Sequence, residues 1–361
     1  MFVSRYDGSG DDGVRFARLP STRGVRATAR SVAMKALTLT SALHLEQVDG
    51  WPDPEPGEHD VVVEMLGVGL CGSDLSVYDG KREPAAMPWI IGHEGCGRIV
   101  EVGPAVTDRS VGELVVIEPN YCCLLCQWCR RGRTAQCERR GIVGINRPGL
   151  LSQFAAVPAR FAWPVPEQWP VERLVCFEPL AVAQGVVRRS GVRAGESCLV
   201  VGAGSQGLLI CLSLLAAGIT PVVSEPQPGR LALAVSLGAK PADDTDRRYS
   251  YVFESSGVEP GFHDALRAAD KTAVVSLVGQ NTAPFSVVTQ DIVQRQLTLL
   301  GALIYDHPVD FDHTRTALGD LDLAPERILR SRATPARADE ALAAAREIPG
   351  KSWIDLSDWS A

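Results

Sequence analysis

The sequence has no excess of positive charge. Its 361 residues hold 36 Lys and Arg against 43 Asp and Glu, a formal charge of −7, with a pI of about 5.5. That balance argues against a protein that coats nucleic acid by neutralising phosphates. No internal repeat or low-complexity block is present. An apolar signal core is also missing: the first 33 residues carry six Arg and three Asp, a local +3 that leaves −10 for the remainder. These residues are expected to be a mobile extension, or the product of an upstream start codon, ahead of a natural-looking start at Met34-Lys35-Ala36-Leu37; an Arg-rich organelle address is the alternative. The uncharged run Ser197–Ser224 could mimic a membrane span. Gly202, Gly204, Gly207, Gly218 and Pro221 cut it into a strand, a short helix and another strand, so a soluble protein is expected.

What is present is ordinary globular material: 45% hydrophobic and 22% charged residues, which excludes wholesale disorder, in a length that most often holds two domains. From Met34 to about Phe177, short apolar runs such as Val61-Val62-Val63, Gly97–Val102 and Leu114–Ile117 are punctuated by Gly and Pro, as in a β-barrel or sandwich. After Glu178 strands alternate with helices: Leu180–Arg189, Cys198–Val201, Leu208–Ala217, Pro221–Ser224, Arg230–Leu237, Tyr251–Glu254, Phe262–Ala269 and Ala273–Val278. Such alternation predicts a parallel doubly wound sheet. A helical run, Arg337–Arg346, and a short final strand near Ile354 look separate from it.

Cys198–Val201 runs directly into Gly202-Ala-Gly204-Ser205-Gln206-Gly207 and then an apolar helix. Placed between strand and helix, this fingerprint points to a dinucleotide: Gly202 for the tight turn, Gly204 for close approach of a pyrophosphate, Gly207 for helix packing. The helix N-terminus adds free N–H groups and a positive dipole end. Glu225 ends the next strand, 18 residues beyond Gly207; a carboxylate there accepts both ribose hydroxyls and repels a 2′-phosphate, favouring NAD. Arg230 could stack on the adenine or partly counter that repulsion. A glycine turn needed only for packing is the alternative.

Ten cysteines are many, and seven fall between Cys71 and Cys137. Without an export signal, metal coordination in a reducing cytoplasm is favoured over disulfides. Cys123, Cys126, Cys129 and Cys137 suit a closed tetrahedral Zn²⁺ that would stabilise a lobe poor in apolar residues. Cys122 leaves the register ambiguous. The arginines around the lobe (Arg130, Arg131, Arg133, Arg139, Arg140) keep a nucleic-acid zinc ribbon open, and a redox CxxC pair is a further alternative. Cys71, His93, Glu94 and Glu178 are a second set of ligand types, one that leaves room for water or substrate as a catalytic zinc does. Singly, each residue is equally a buried thiol, a satisfied core histidine or a surface charge.

Taken in order, CGSD (Cys71–Asp74), GHE (Gly92–Glu94), the four-cysteine lobe, EPLA (Glu178–Ala181) and GxGxxG resemble the zinc-dependent medium-chain dehydrogenase/reductase family, in its polyol and sugar dehydrogenase branch. The resemblance runs from Met34 to about Lys351. It implies a GroES-like β-barrel catalytic domain (34–180, with the zinc lobe at about 118–140), a Rossmann domain (181–310), and a C-terminal segment (311–361) returning to the catalytic side. It implies that Cys71, His93 and Glu94 lie at the catalytic zinc, and that Glu178 supplies a fourth ligand or holds the metal-bound water. Ser73 would relay the alcohol proton, and Asp74 would orient the zinc histidine. Three positions depart from the pattern. Ser76 stands where many relatives have a histidine, Cys122 and Leu124 replace a proline and a glycine beside the first lobe cysteine, and the crossover after Gly238-Ala239 looks trimmed.

The expected reaction is oxidation of a secondary alcohol to a ketone with two zinc ions per chain and NAD. The substrate is expected to be a polar polyol, sugar or aminocyclitol, with Glu118 and Tyr78 as tentative contacts; either could instead be structural. A reductase of less polar substrates and a non-catalytic nucleotide-binding relative are the alternatives. A homodimer or homotetramer is expected, with no nucleic-acid or membrane partner.

Overall fold

The computed structural model describes residues 33–243, 246–320 and 323–359, the side chain of residue 320 excepted. Of the expected N-terminal extension, only Ala33 falls among them. The strands, in chain order, are β1 (Ala33–Ser41), β2 (His44–Pro52), β3 (Asp60–Gly69), β4 (Trp89–Ile90), β5 (Glu94–Val102), β6 (Leu114–Ile117), β7 (Asn120–Tyr121), β8 (Gly141–Ile142), β9 (Phe154–Pro158) and β10 (Ala162–Pro164) in the Val-rich half. Beyond them come β11 (Cys198–Val201), β12 (Val222–Ser224), β13 (Lys240–Pro241), β14 (Tyr249–Glu254), β15 (Ala269–Leu277), β16 (Thr298–Gly301), β17 (Leu329–Ala333) and β18 (Lys351–Asp355).

β11 to β16 form one all-parallel sheet in the order β13-β12-β11-β14-β15-β16. β11 is its middle. All four of its residues, Cys-Leu-Val-Val, are buried, as a strand covered by helices on both faces requires. The uncharged run Ser197–Ser224 resolves into β11, a helix at Ser205–Ala216 and β12. Among the described residues no helix is long and apolar enough to cross a membrane. Between β13 and β14 the described residues hold no helix, as the trimmed crossover predicts.

The Val-rich half is the expected barrel or sandwich of short strands, in open form. Its main sheet follows the open path β10-β6-β5-β3-β18-β17, with β9 also on β3, and a second sheet is β2-β1-β4. Irregular backbone joins the two: Leu37 N–H donates to Leu151 O (2.8 Å), Gln153 N–H to Lys35 O (2.8 Å) and Met65 N–H to Gln153 O (2.9 Å). Ser152 pairs with Ala36 as an isolated antiparallel bridge, so residues 150–153 join the sheets without completing a strand. The C-terminal strand is no appendage. β18 pairs antiparallel with β3, placing Trp353 opposite Gly69 and Asp355 opposite Gly67.

The helix Phe177–Ser190 links the two halves. It stops at Gly191 in the left-handed region (φ 75°), where glycine carries no Cβ penalty. Its buried face joins one hydrophobic cluster containing Cys96 and Trp353 from the antiparallel sheet with Val200, Leu208 and Phe311.

Candidate active site

The four lobe cysteines converge: the sulfur atoms of Cys123, Cys126, Cys129 and Cys137 all lie within 4.8 Å of one another. Backbone N–H groups point at the sulfurs, Cys126 N–H to Cys123 Sγ (3.3 Å) and Cys123 N–H to Cys137 Sγ (3.2 Å). Such donors favour thiolate over thiol. Donation from Leu125 and Cys126 pulls the Cys123 thiol down to about 6. Cys122 stands outside the quartet, and burial pushes its thiol up to about 12, which resolves the register. Four converging sulfurs with amide donors fit a closed tetrahedral zinc. Leu124 turns the chain in the left-handed region (φ 58°), so the turn keeps a backbone that suits glycine while carrying a side chain.

Cys71, His93 and Glu94 form the second group, their ligand atoms likewise within 4.8 Å of one another. Asp74 is fully buried and braces all of it. One carboxylate oxygen accepts Cys71 N–H (3.0 Å); the other accepts Gly92 N–H (3.2 Å) and faces His93 Nδ1 (2.8 Å). That bond leaves the histidine's Nε2 for a metal. The donor set of thiolate, imidazole and carboxylate suits zinc with an open position. Glu94 has a second partner, the buried Lys351 of β18, whose ammonium pairs with Glu94 Oε2 and donates to Leu70 O (3.0 Å).

Glu178 is buried in the first turn of the helix Phe177–Ser190 but lies outside the three-ligand group. Its carboxylate meets the Tyr305 hydroxyl, and Asn120 Nδ2 donates to that hydroxyl (2.9 Å). Burial raises Glu178 to about 7 against the opposing pull of His93, and Glu94 adds to the rise. Ser73 is half-buried two residues after Cys71. Ser76 bonds its own helix, Oγ to Gly72 O (2.9 Å).

The glycine turn has the expected form. Gly202 sits at φ 92°, a Cβ on Gly207 would lie 2.1 Å from Gly202 O, and a Cβ on Gly204 would meet nothing within 4 Å. The space over Gly204 is open for a phosphate. Glu225 reaches back to the turn, accepting Ala203 N–H (2.7 Å) and Gln227 N–H (2.9 Å). A cavity of about 280 Å³ opens at the C-terminal ends of β15 and β16, lined by Leu277–Gln280, Gly301–Leu303 and, from the cysteine lobe, Gln136. Ligands of open parallel sheets bind at such strand ends.

Comparison with known proteins agrees with this geometry. Residues 57–167 match the alcohol dehydrogenase GroES-like domain. The chain is 34% identical over 267 residues to L-threonine 3-dehydrogenase of Pyrococcus abyssi, covering 69% of this chain and 76% of that protein. This chain belongs to the zinc-dependent medium-chain dehydrogenase/reductase superfamily, a family of oxidoreductases. It is 32% identical over 288 residues to 2-dehydro-3-deoxy-L-galactonate 5-dehydrogenase of Pseudoalteromonas atlantica, covering 75% and 84% of the two chains. A zinc-binding dehydrogenase from Sinorhizobium meliloti, solved with NADP, superposes with TM-score 0.81 at 26% identity, covering 90% and 100%.

The structure also places several of the candidate residues. Tyr78 is core, not cleft: it is buried, and its hydroxyl donates to the Asp339 carboxylate (2.9 Å). Glu118 is likewise an interior residue. It is fully buried, its Oε2 taking Trp163 Nε1 (2.8 Å) and facing His307 Nδ1 (2.8 Å). The side chains of Ser205 and Gln206 donate to protein carbonyls, Oγ to Gly350 O (2.8 Å) and Nε2 to Pro179 O (3.2 Å). One Nη of Arg230 donates to the Arg346 carbonyl. Lys351, Tyr305 and His307, which touch Glu94, Asn120 and Glu118, were not singled out from the sequence. A lysine opening the final strand was the available signal for the first, whereas nothing local marks the others.

Proposed function

We propose that the chain is a zinc-dependent NAD(H) oxidoreductase interconverting a secondary alcohol of a polyhydroxylated substrate with its ketone. The proposal divides it into a catalytic part (34–180 with 311–361) and a dinucleotide part (181–310), with the site between them. The observation that carries this reading is the brace of Asp74 on Cys71, Gly92 and His93, which builds an open metal site two residues from a hydroxyl, Ser73. When bound, the metal supplies Lewis acidity toward the alcohol oxygen and the dinucleotide supplies a hydride acceptor. Ser73 takes the alcohol proton and passes it outward. Asp74 fixes the His93 tautomer, and Lys351 holds Glu94 against the group by its buried charge. Glu178, positioned by Tyr305, keeps a carboxylate at the rim of the site. The open backbone over Gly204 receives the pyrophosphate, and the Glu225 carboxylate beside the turn disfavours a 2′-phosphate.

The buried polar groups Glu94, Glu178, Tyr305 and Asn120 support a polar substrate, because analogues lacking hydroxyls leave such groups unpaired. β16 is an open sheet edge, and the helix Thr289–Arg295 beside it buries no residue, which supports a homodimer formed across that edge. The free thiols of all ten cysteines suit a reducing cytoplasm. Steady-state kinetics against polyols, sugars and cyclitols test the reading. NAD should exceed NADP at least about tenfold in kcat/KM, the factor given by about 1.4 kcal/mol of repulsion. Ethanol and 2-butanol should turn over at least about a hundredfold less efficiently than the best polyol. Comparable rates for 2-butanol and every polyol would overturn the polar substrate, and a preference for NADP would overturn the role of Glu225.

A further inference from the structure

Arg140 follows the last lobe cysteine and precedes β8, which pairs with β7 so that Ile142 lies opposite Asn120. Asn120 is the residue that holds the Tyr305 hydroxyl. Arg140 is half-buried. One Nη donates to Ala135 O (2.5 Å), while its Nε is buried without a hydrogen-bond partner. Among the described residues no carboxylate lies within ion-pair distance of it. Burial pushes its pKa down, the groups that offset this are Tyr305 and Cys137, and Arg82 adds to the depression. Arg82 follows the helix Gly72–Tyr78 that carries Ser73, and its N–H donates to Ser76 O (3.0 Å). The next residues tie back to the same region through Ala85 N–H to Ile145 O (3.0 Å).

The half-buried Arg140 and the exposed Arg82 thus repel each other, and the tyrosine that touches Glu178 acts on Arg140 as well. A partly desolvated arginine with an idle Nε–H beside a second positive charge is stable when an anion neutralises it. Lobe countercharge from Cys137 is the rival explanation, although another lobe sulfur, Cys123, already has Arg139, and the test below separates the two.

We propose that Arg140, with Arg82, binds an anionic group on the substrate, so that the alcohol oxidised is a polyhydroxylated acid or phosphate ester rather than a neutral polyol. This rests on the dehydrogenase reading above and narrows its substrate class. The reacting carbon lies at Ser73 and the metal, the anion at the lobe end of the cleft. Arginine presents a planar fork matching carboxylate and phosphate alike, so the chemistry is shared and the experiment must separate the two.

The test compares five- and six-carbon aldonates and alditol phosphates with their neutral alditols, in the zinc-loaded enzyme with NAD. The wild type should favour the anionic member by at least about tenfold in kcat/KM, and whether aldonate or phosphate leads identifies the group. Arg140→Met should remove that preference with two zinc ions retained. Arg131→Gln, an exposed lobe arginine over Trp128, should leave the ratio as it is. A wild type that prefers the neutral members overturns the proposal. So does an Arg140→Met protein that loses zinc or melting temperature with the ratio unchanged, which assigns Arg140 to the lobe. If no alcohol of either charge is oxidised, the dehydrogenase reading fails by itself. The anion site is then decided by calorimetric titration of the zinc-loaded protein with gluconate, glucitol 6-phosphate and glucitol. Binding of an anion that Arg140→Met abolishes supports it; no binding, or binding that persists in the variant, overturns it.

Discussion

The chain contains two ligand clusters of similar size and opposite construction. The cysteine lobe draws four sulfurs from one short stretch, and its own backbone amides donate to them. The Cys71/His93/Glu94 group draws on a helix cap, a turn and a strand start, and is held by buried charges: Asp74 on one side, Lys351 on the other. A locally closed cluster can form only with its metal and supplies folding energy. A cluster mounted on the core keeps its geometry and an open position without the metal, so removing a ligand from it affects chemistry more than folding.

The largest expected effect tests that contrast directly. Cys126→Ser should lose one zinc and lower the melting temperature by more than about 10 °C, since structural zinc binding is worth about 10–16 kcal/mol in small fingers and exceeds most net stabilities. His93→Ala should abolish activity yet shift the melting temperature by less than about 5 °C. Equal losses in both would erase the distinction.

Next in size, Lys351→Met should destabilise the metal-free protein by about 3–5 kcal/mol, because it strands the buried Glu94 charge. Pairing it with Glu94→Gln should recover most of that loss in denaturant unfolding. Failure to recover would show that Lys351 acts through packing alone.

Third is a pH effect on the metal-free protein. The Glu178 carboxyl sits at about 7 in the fold against an ordinary 4.5, so the folded state binds the proton more tightly. Its contribution is full below pH 4.5 and is lost as the pH rises to about 7, a change of about 3 kcal/mol. Glu178→Gln should flatten the slope, and an unchanged slope would assign it to another group.

Smallest, Tyr305→Phe should cost about 1 kcal/mol of stability. It should also raise the Glu178 carboxyl further, because the tyrosine's hydrogen bond lowers it. A pH profile of activity identical to wild type would remove Tyr305 from the site.

The same division of construction explains what was readable. The glycine turn, the cysteine quartet and the Asp74 brace on Cys71 depend on residues a few positions apart, where spacing alone sets who meets whom. The alternation of strands and helices from Cys198 onward likewise implied the parallel sheet, because period and punctuation are local. Tyr78 was left open between cleft and core because its partner, Asp339, is 261 residues away, and no spacing shows which face of a short helix the core will take.

The sequence by itself determined the cysteine quartet and the glycine turn, which short-range geometry carries, and the collinear order of motifs that marks the superfamily, including Cys71, His93 and Glu94 of the second cluster. Only the tertiary structure decided the rest: that β18 brings Lys351 onto Glu94 from 257 residues away, that Asn120 and Tyr305 meet across 185, and that Glu118 is buried against His307. Those pairings depend on which sheet edge a distant strand joins and on which polar groups burial forces together, and neither is written in any local run of residues.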